Sequence, residues 1–206
     1  MSPDHDSPAD APRSGQCSPL GPGRVVLIVG PSGSGKDTLL RLARASLAAQ
    51  ETVVFAPRDV TRPTGTAEEF AVTPANFDAT EATGGYALTW RAHGLAYGIR
   101  AAIDRDVLAG STVVLNASRT VLARARQRYA NVAVVLIDAP ADVRAARLAA
   151  RGREQATGMA DRIARVPGAF VTSDADVVIH NTGDPDDGAA RLIRAILALP
   201  STGGSG

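Results

Sequence analysis

The feature that most restricts how this chain can fold is Gly30-Pro31-Ser32-Gly33-Ser34-Gly35-Lys36-Asp37-Thr38, which lies between two apolar patterns. Before it stands Arg24-Val25-Val26-Leu27-Ile28-Val29, a continuous apolar run of the kind a strand carries when both its faces are covered. After it, Leu39 to Leu47 is apolar at helical spacing. Strand, glycine loop and helix in that order make a phosphate-binding loop. Glycines let successive backbone N–H groups turn inward around an anion. The helix start adds unpaired N–H groups and the positive end of its dipole, and Lys36 brings a mobile full charge. The pattern G-x-x-x-x-G-K is complete, but the hydroxyl residue that usually follows comes one place late: Asp37 succeeds the lysine, and Thr38 comes after it.

The rest of the chain has to supply the sheet into which such a loop fits. Thr52–Ala56, Thr112–Asn116, Val132–Asp138 and Asp176–His180 read as further buried strands. Helical patterns alternate with them over Ala101–Ala109, over Ser118 (as N-cap) to Tyr129, over Ala141–Ala150 ending at Gly152, and over Asp186–Leu199 before Pro200. Five apolar strands alternating with helices predict an α/β fold, a five-stranded parallel sheet covered on both faces. Residues 58–100 interrupt the alternation and hold five of the eight aromatics: Phe70, Phe77, Tyr86, Trp90 and Tyr97. An insertion needs buried area to keep a shape, so most of these are expected to form a small core of their own. Met1–Gly23 is rich in Pro, Ser, Asp and Gly without periodicity, and reads as a disordered lead; residues 201–206 read as a flexible tail.

Composition narrows the partners. A net charge of +1 gives no broad basic footprint for nucleic acid. No apolar run is long enough to span a bilayer, and the first 23 residues lack a signal-peptide pattern. With Cys17 alone there is no internal disulfide, and a reducing cytoplasm is the expected compartment.

Three segments beyond the loop resemble the guanylate-kinase-like branch of the P-loop kinases, from about Arg24 to Leu199. They are Val60-Thr61-Arg62-Pro63 through Glu68, Gly94-Leu95-Ala96-Tyr97-Gly98, and Arg147-Leu148-Ala149-Ala150-Arg151-Gly152-Arg153-Glu154 followed by Arg162. Three departures accompany them. The glutamate that reads the guanine edge in guanylate kinases aligns with Leu88. The acidic pair after the third core strand aligns with Asn116 and Ser118, and the second arginine after the T-R element is missing. With Lys36-Asp37-Thr38, Leu88 to Leu95, Leu115-Asn116-Ala117-Ser118-Arg119 and Arg151-Gly152-Arg153-Glu154, these departures resemble the ribose 1,5-bisphosphate phosphokinases.

That resemblance implies a three-layer P-loop kinase domain over residues 24–200, with an acceptor-binding region at 58–100 and an arginine lid at 151–166. It implies ATP and Mg2+, a small phosphorylated sugar as substrate, 5-phosphoribosyl 1-diphosphate as product, and a role in phosphonate breakdown. Gly30 to Thr38 would hold the nucleotide phosphates, with Asn181 and Thr182 near adenine and Thr38 and Asp37 near magnesium. Lys36, Arg151 and Arg162 would supply the catalytic cations, and Arg62, Glu68, Tyr97 and Arg119 would meet the acceptor. Arg144, Arg147 and Arg151 fall at i, i+3 and i+7 on one helix face, where Arg144 reads as part of a solvated basic face. Arg91 and His93 border the same proposed pocket. Two other readings stay open: a nucleoside monophosphate kinase, guanylate kinase first, and a guanylate-kinase-like binding module without catalysis. Homodimer formation is likewise open.

Overall fold

The computed structural model describes residues 18–63, 69–152 and 174–198. Glu68, Arg162, most of the expected lid, residues 1–17 and the tail lie outside these, as does the side chain of Arg151. The expected strands all form and make one parallel sheet: β1 (Arg24–Val29), β2 (Val53–Ala56), β7 (Thr112–Asn116), β8 (Val132–Asp138) and β9 (Val177–His180), in the order β2-β7-β1-β8-β9. β1 is central and buried along its whole length, which is why it shows no polar alternation. Its side chains divide by parity. Val25, Leu27 and Val29 enter the core on one face, and Val26 and Ile28 the core on the other. Helices α1 (Lys36–Ser46) and α6 (Pro185–Ala198) cover the second face through Leu39, Leu40, Ala43, Leu192 and Ile196.

Between β2 and β7, the insertion builds a second sheet from β3 (Arg58–Val60), β4 (Glu69–Ala71), β5 (Tyr86–Ala92) and β6 (Leu95–Arg100), in the order β4-β3-β6-β5. Helix α2 (Pro74–Ala82) lies between β4 and β5, started by Thr73, whose Oγ1 accepts from Asn76 N. The expectation of a separate aromatic core needs correction. Ala87, Leu88, Trp90 and Ile99 join the first-face core of the main sheet, together with α3 (Ile103–Leu108) and Tyr129 after α4 (Leu122–Arg128). The insertion is thus fastened to the domain by shared apolar surface. Phe77 does stack on Tyr86 (ring centroids 4.7 Å apart) and Trp90 on Tyr97 (5.2 Å), but Phe70 is 57% exposed. Strand alternation explains Phe70: its neighbour Glu69 takes the inward position.

The G-x-x-Y-G element also has a structural basis. His93 and Gly94 both have positive φ (52° and 72°) and make the tight β5–β6 turn, and a Cβ on Gly98 would lie 2.6 Å from the Tyr86 ring. The end of the expected disordered lead is ordered. Leu20 bridges to Tyr129, and Gly23 N donates to Val107 O at 2.8 Å. No helix among the described residues is long and apolar enough to cross a membrane.

Candidate active site

The loop emerges from β1 at the carboxyl edge of the sheet, where open α/β sheets place their ligands. β2 and β7 lie on one side of β1 and β8 and β9 on the other, so the chain leaves β1 at a switch point. Gly33 (φ 81°) and Gly35 (φ 90°) hold the left-handed conformations that turn the loop. Gly35 is also the N-cap of α1, and a Cβ there would fall 2.3 Å from Asn181 Nδ2. Lys36 Nζ donates to the carbonyls of Gly30 (2.7 Å) and Pro31 (3.1 Å), so its ammonium curls back across the loop. Ser34 is fully buried.

Behind the loop, Asn181 after β9 is 4% exposed and donates Nδ2 to Ser34 O at 2.8 Å; Arg147 Nη1 reaches the same carbonyl at 3.4 Å. The sequence placed Asn181 at adenine. In the structure its amide is a strut under the phosphate loop, with Nδ2 occupied by a loop carbonyl. Thr182 beside it is exposed. Asn181→Ala is expected to lose about 1–3 kcal/mol of stability and to raise the KM for the nucleotide, as the Ser34 carbonyl loses its best buried donor. Chemical denaturation and initial-rate kinetics check both, and a stable variant with an unchanged KM removes the strut.

Arg144 in α5 (Ala141–Gly152) donates Nε to Ala139 O at 3.1 Å, which ties it to its own helix start instead of a solvated face. Asp37 and Thr38 open α1, with Asp37 exposed. Asn116 Nδ2 donates to Asp37 Oδ1 at 2.8 Å, so the carboxylate after the lysine and the amide at the end of β7 meet across 79 residues. Asn116 Oδ1 is buried without a partner. A hydroxyl, a carboxylate and an unsatisfied amide oxygen form a hard-oxygen set that suits Mg2+, which takes few protein ligands when phosphates supply the rest. No cluster of three or more His, Cys, Asp or Glu exists among the described residues.

In the insertion, Arg62 pairs with Glu69, and so does Arg58, which sequence reasoning missed. Glu69 is 5% exposed. Two adjacent glutamates precede Phe70, and a two-residue period sends only one of them inward, but nothing in the sequence says which. Tyr97 is half-buried, its ring occupied by Trp90 and by the Arg58 guanidinium 5.5 Å from its centroid. Arg119 opens a short 3-10 turn, Arg119–Val121, directly past β7, with Ser118 Oγ accepting from Thr120 N at 3.3 Å. Arg91 and His93 take local roles in the insertion. Arg91 pairs with Glu81 and lies over Phe77, and its guanidinium holds the Glu81 carboxyl below the usual range; His93 serves the hairpin turn.

Leu88 departs furthest from its expected setting. It is fully buried in the first-face core that also holds Ala87, Ile99 and Val121. The insertion is further locked by Asp59, 1% exposed, which accepts from Tyr86 Oη at 2.7 Å and pairs with Arg100. Burial, with the Asp59 carboxylate second, pushes the Tyr86 hydroxyl well above its usual pKa, so it stays a donor.

Comparison with known proteins agrees with this geometry. A family model described as an AAA domain matches residues 25–167. The ribose 1,5-bisphosphate phosphokinase PhnN of Rhodopseudomonas palustris is 51% identical over 178 residues, 86% of this chain and 90% of the relative. Its namesake from Bradyrhizobium diazoefficiens is 47% identical over 183 residues, 88% and 92% of the two chains. The crystal structure of guanylate kinase from Anaplasma phagocytophilum superposes with a TM-score of 0.61 at 17% identity, over 89% of this chain and 88% of that one, a likeness of fold. The phosphate loop, its setting at the sheet edge and these relatives together place the chain in the ribose 1,5-bisphosphate phosphokinase family, on a P-loop kinase fold.

Proposed function

We propose that this protein transfers the γ-phosphoryl group of ATP to the 1-phosphate of ribose 1,5-bisphosphate, giving 5-phospho-α-D-ribose 1-diphosphate and ADP. The observation that carries this reading over a nucleotide acceptor is Leu88. The position that reads guanine in guanylate kinases is here a side chain sealed in the apolar core, so it offers no acceptor for a base's N–H edge. Arginines at the acceptor side remain, and they suit a small molecule with two phosphates and no base.

The acceptor phosphate is already ionised at neutral pH, so its oxygen attacks without a general base. A bond forms from that oxygen to the γ-phosphorus as the bond to the bridging oxygen of ADP breaks. Catalysis then rests on alignment and on cations placed where charge develops. Lys36 serves the β- and γ-phosphates from the loop. Thr38 and Asp37 would hold Mg2+, which would supply charge neutralisation for the nucleotide phosphates. Arg151 and Arg162, by the family resemblance, supply further cations for the transferring group, Arg119 and Arg62 bind acceptor phosphate, and Glu68 and Tyr97 meet the sugar. The reaction belongs to phosphonate catabolism and 5-phosphoribosyl 1-diphosphate supply in the cytoplasm.

An acceptor screen with ATP and magnesium tests the reading. Ribose 1,5-bisphosphate should be turned over efficiently. GMP should be poorer by about ten- to a hundredfold, the cost of one unmade hydrogen bond at a buried base edge. AMP and ribose 5-phosphate should be weak. Robust GMP phosphorylation with none of the bisphosphate would make it a guanylate kinase, and no ATP turnover with any acceptor would leave a binding module.

A further inference from the structure

Two guanidiniums converge on one buried carboxylate beside the phosphate loop. Arg58 donates Nε (2.9 Å) and Nη2 to Glu69 Oε1, and Arg62 donates Nη2 to Glu69 Oε2. Arg58 Nη1 also donates to Asn116 O at 3.2 Å, and the Asn116 amide reaches Asp37 on the first turn of α1. Arg58 is therefore joined to the loop through a single residue. Its guanidinium lies over the Tyr97 ring, which limits its freedom further.

Among the described residues, the charges in this cluster do not balance. Glu69 brings one negative charge against two positive ones, with the two arginine side chains only 17% and 30% exposed. A structural pin would need one arginine. The second leaves an excess cation in a poorly solvated place, and the Arg62 Nε is buried with no partner. Such a donor is costly unless something occupies it. An anion with several oxygens relieves both the charge and the unmade bond, and phosphate matches two guanidinium forks.

We propose that Arg58 is an acceptor-binding residue, and that Arg58 and Arg62, oriented together by Glu69, form a paired-guanidinium cradle for a phosphate group of the acceptor. Glu69 acts as a positioning residue: it holds the two forks and does not touch the ligand. The proposal rests on the acceptor reading above, and the experiment is arranged so that the two fail separately.

Arg58→Lys keeps a cation on Glu69 but removes the fork. It should raise the KM for ribose 1,5-bisphosphate about tenfold while leaving the KM for ATP within about a factor of two. Glu69→Asp keeps the charge but shortens the reach, and should shift the same KM in the same direction. A second measurement does not depend on the acceptor's identity. With the loop saturated by a non-hydrolysable ATP analogue, inorganic phosphate should raise the melting temperature of the unmodified protein, and that rise should shrink in Arg58→Lys. If the screen finds no turnover of ribose 1,5-bisphosphate, the acceptor reading falls, and the phosphate measurement alone judges the cradle. Equal changes in both KM values, an unchanged acceptor KM in folded Arg58→Lys, or a phosphate-dependent rise that is absent from the unmodified protein or identical in the variant would overturn the proposal.

Discussion

Lys36→Ala is expected to fold normally and to lose phosphoryl transfer by about two to three orders of magnitude in kcat. Stability should change little. Lys36 is not part of either apolar core, and its hydrogen bonds to the Gly30 and Pro31 carbonyls are worth about 1 kcal/mol net each. Its value lies in the charge it brings to a phosphoryl group in transit, and no neighbour replaces that. Arg147 already points its Nη1 at the Ser34 carbonyl, and Arg58 and Arg62 are tied to Glu69. Lys36→Arg should not rescue the loss, since a planar fork does not fit the space of a compact ammonium within a glycine loop. Single-turnover kinetics beside a thermal melt checks this. Undiminished turnover in a folded variant would remove Lys36 from the site.

Leu88→Glu is expected to destabilise the protein by about 4 kcal/mol at neutral pH, the range for an unpaired charge forced into an apolar core. Alignment alone makes this substitution look like a specificity switch toward GMP. Burial changes that expectation, because Leu88 has no exposed surface and shares its core with Ala87, Ile99 and Val121. The introduced carboxyl would have its pKa raised in the folded state by burial. A raised folded pKa means the deficit is full above that value and shrinks as pH falls toward the ordinary glutamate value of about 4.3. The variant should therefore lie closer to the unmodified protein in denaturant melts at pH 5 than at pH 7. Leu88→Met, nearly equal in volume, should cost less than about 1.5 kcal/mol. A stable Leu88→Glu protein with a flat pH response would show that this side chain can reach water.

These two substitutions mark how far linear reading of the residues carries. The loop's function was legible because its parts are contiguous: a strand, glycines, a lysine and a helix start within a span short enough for local geometry to act on. Lys36 could be assigned from spacing alone. Leu88 could be aligned but not placed. Its surroundings come from Val121 and other residues far along the chain, and alternation along β5 is blurred by a bulge between Tyr86 and Leu88.

The sequence by itself determined the parallel sheet, since five apolar runs without polar alternation can be covered on both faces and in few other ways. It also determined the phosphate loop, since a left-handed turn such as Gly35 needs glycine wherever the rest of the chain lies. Only the tertiary structure decided which polar groups meet. Asn181 joins Ser34 across 147 residues, Asn116 joins Asp37 across 79, and Arg58 joins the Asn116 carbonyl across 58. Periodicity tells a side chain which face of its element it occupies, but not what the opposing element presents there. A buried amide or guanidinium must take whatever partner lies within about 3 Å, and that partner is chosen by how strands and helices pack. Asn181 thus became a support for the loop, and Glu69 the residue that draws two arginines together.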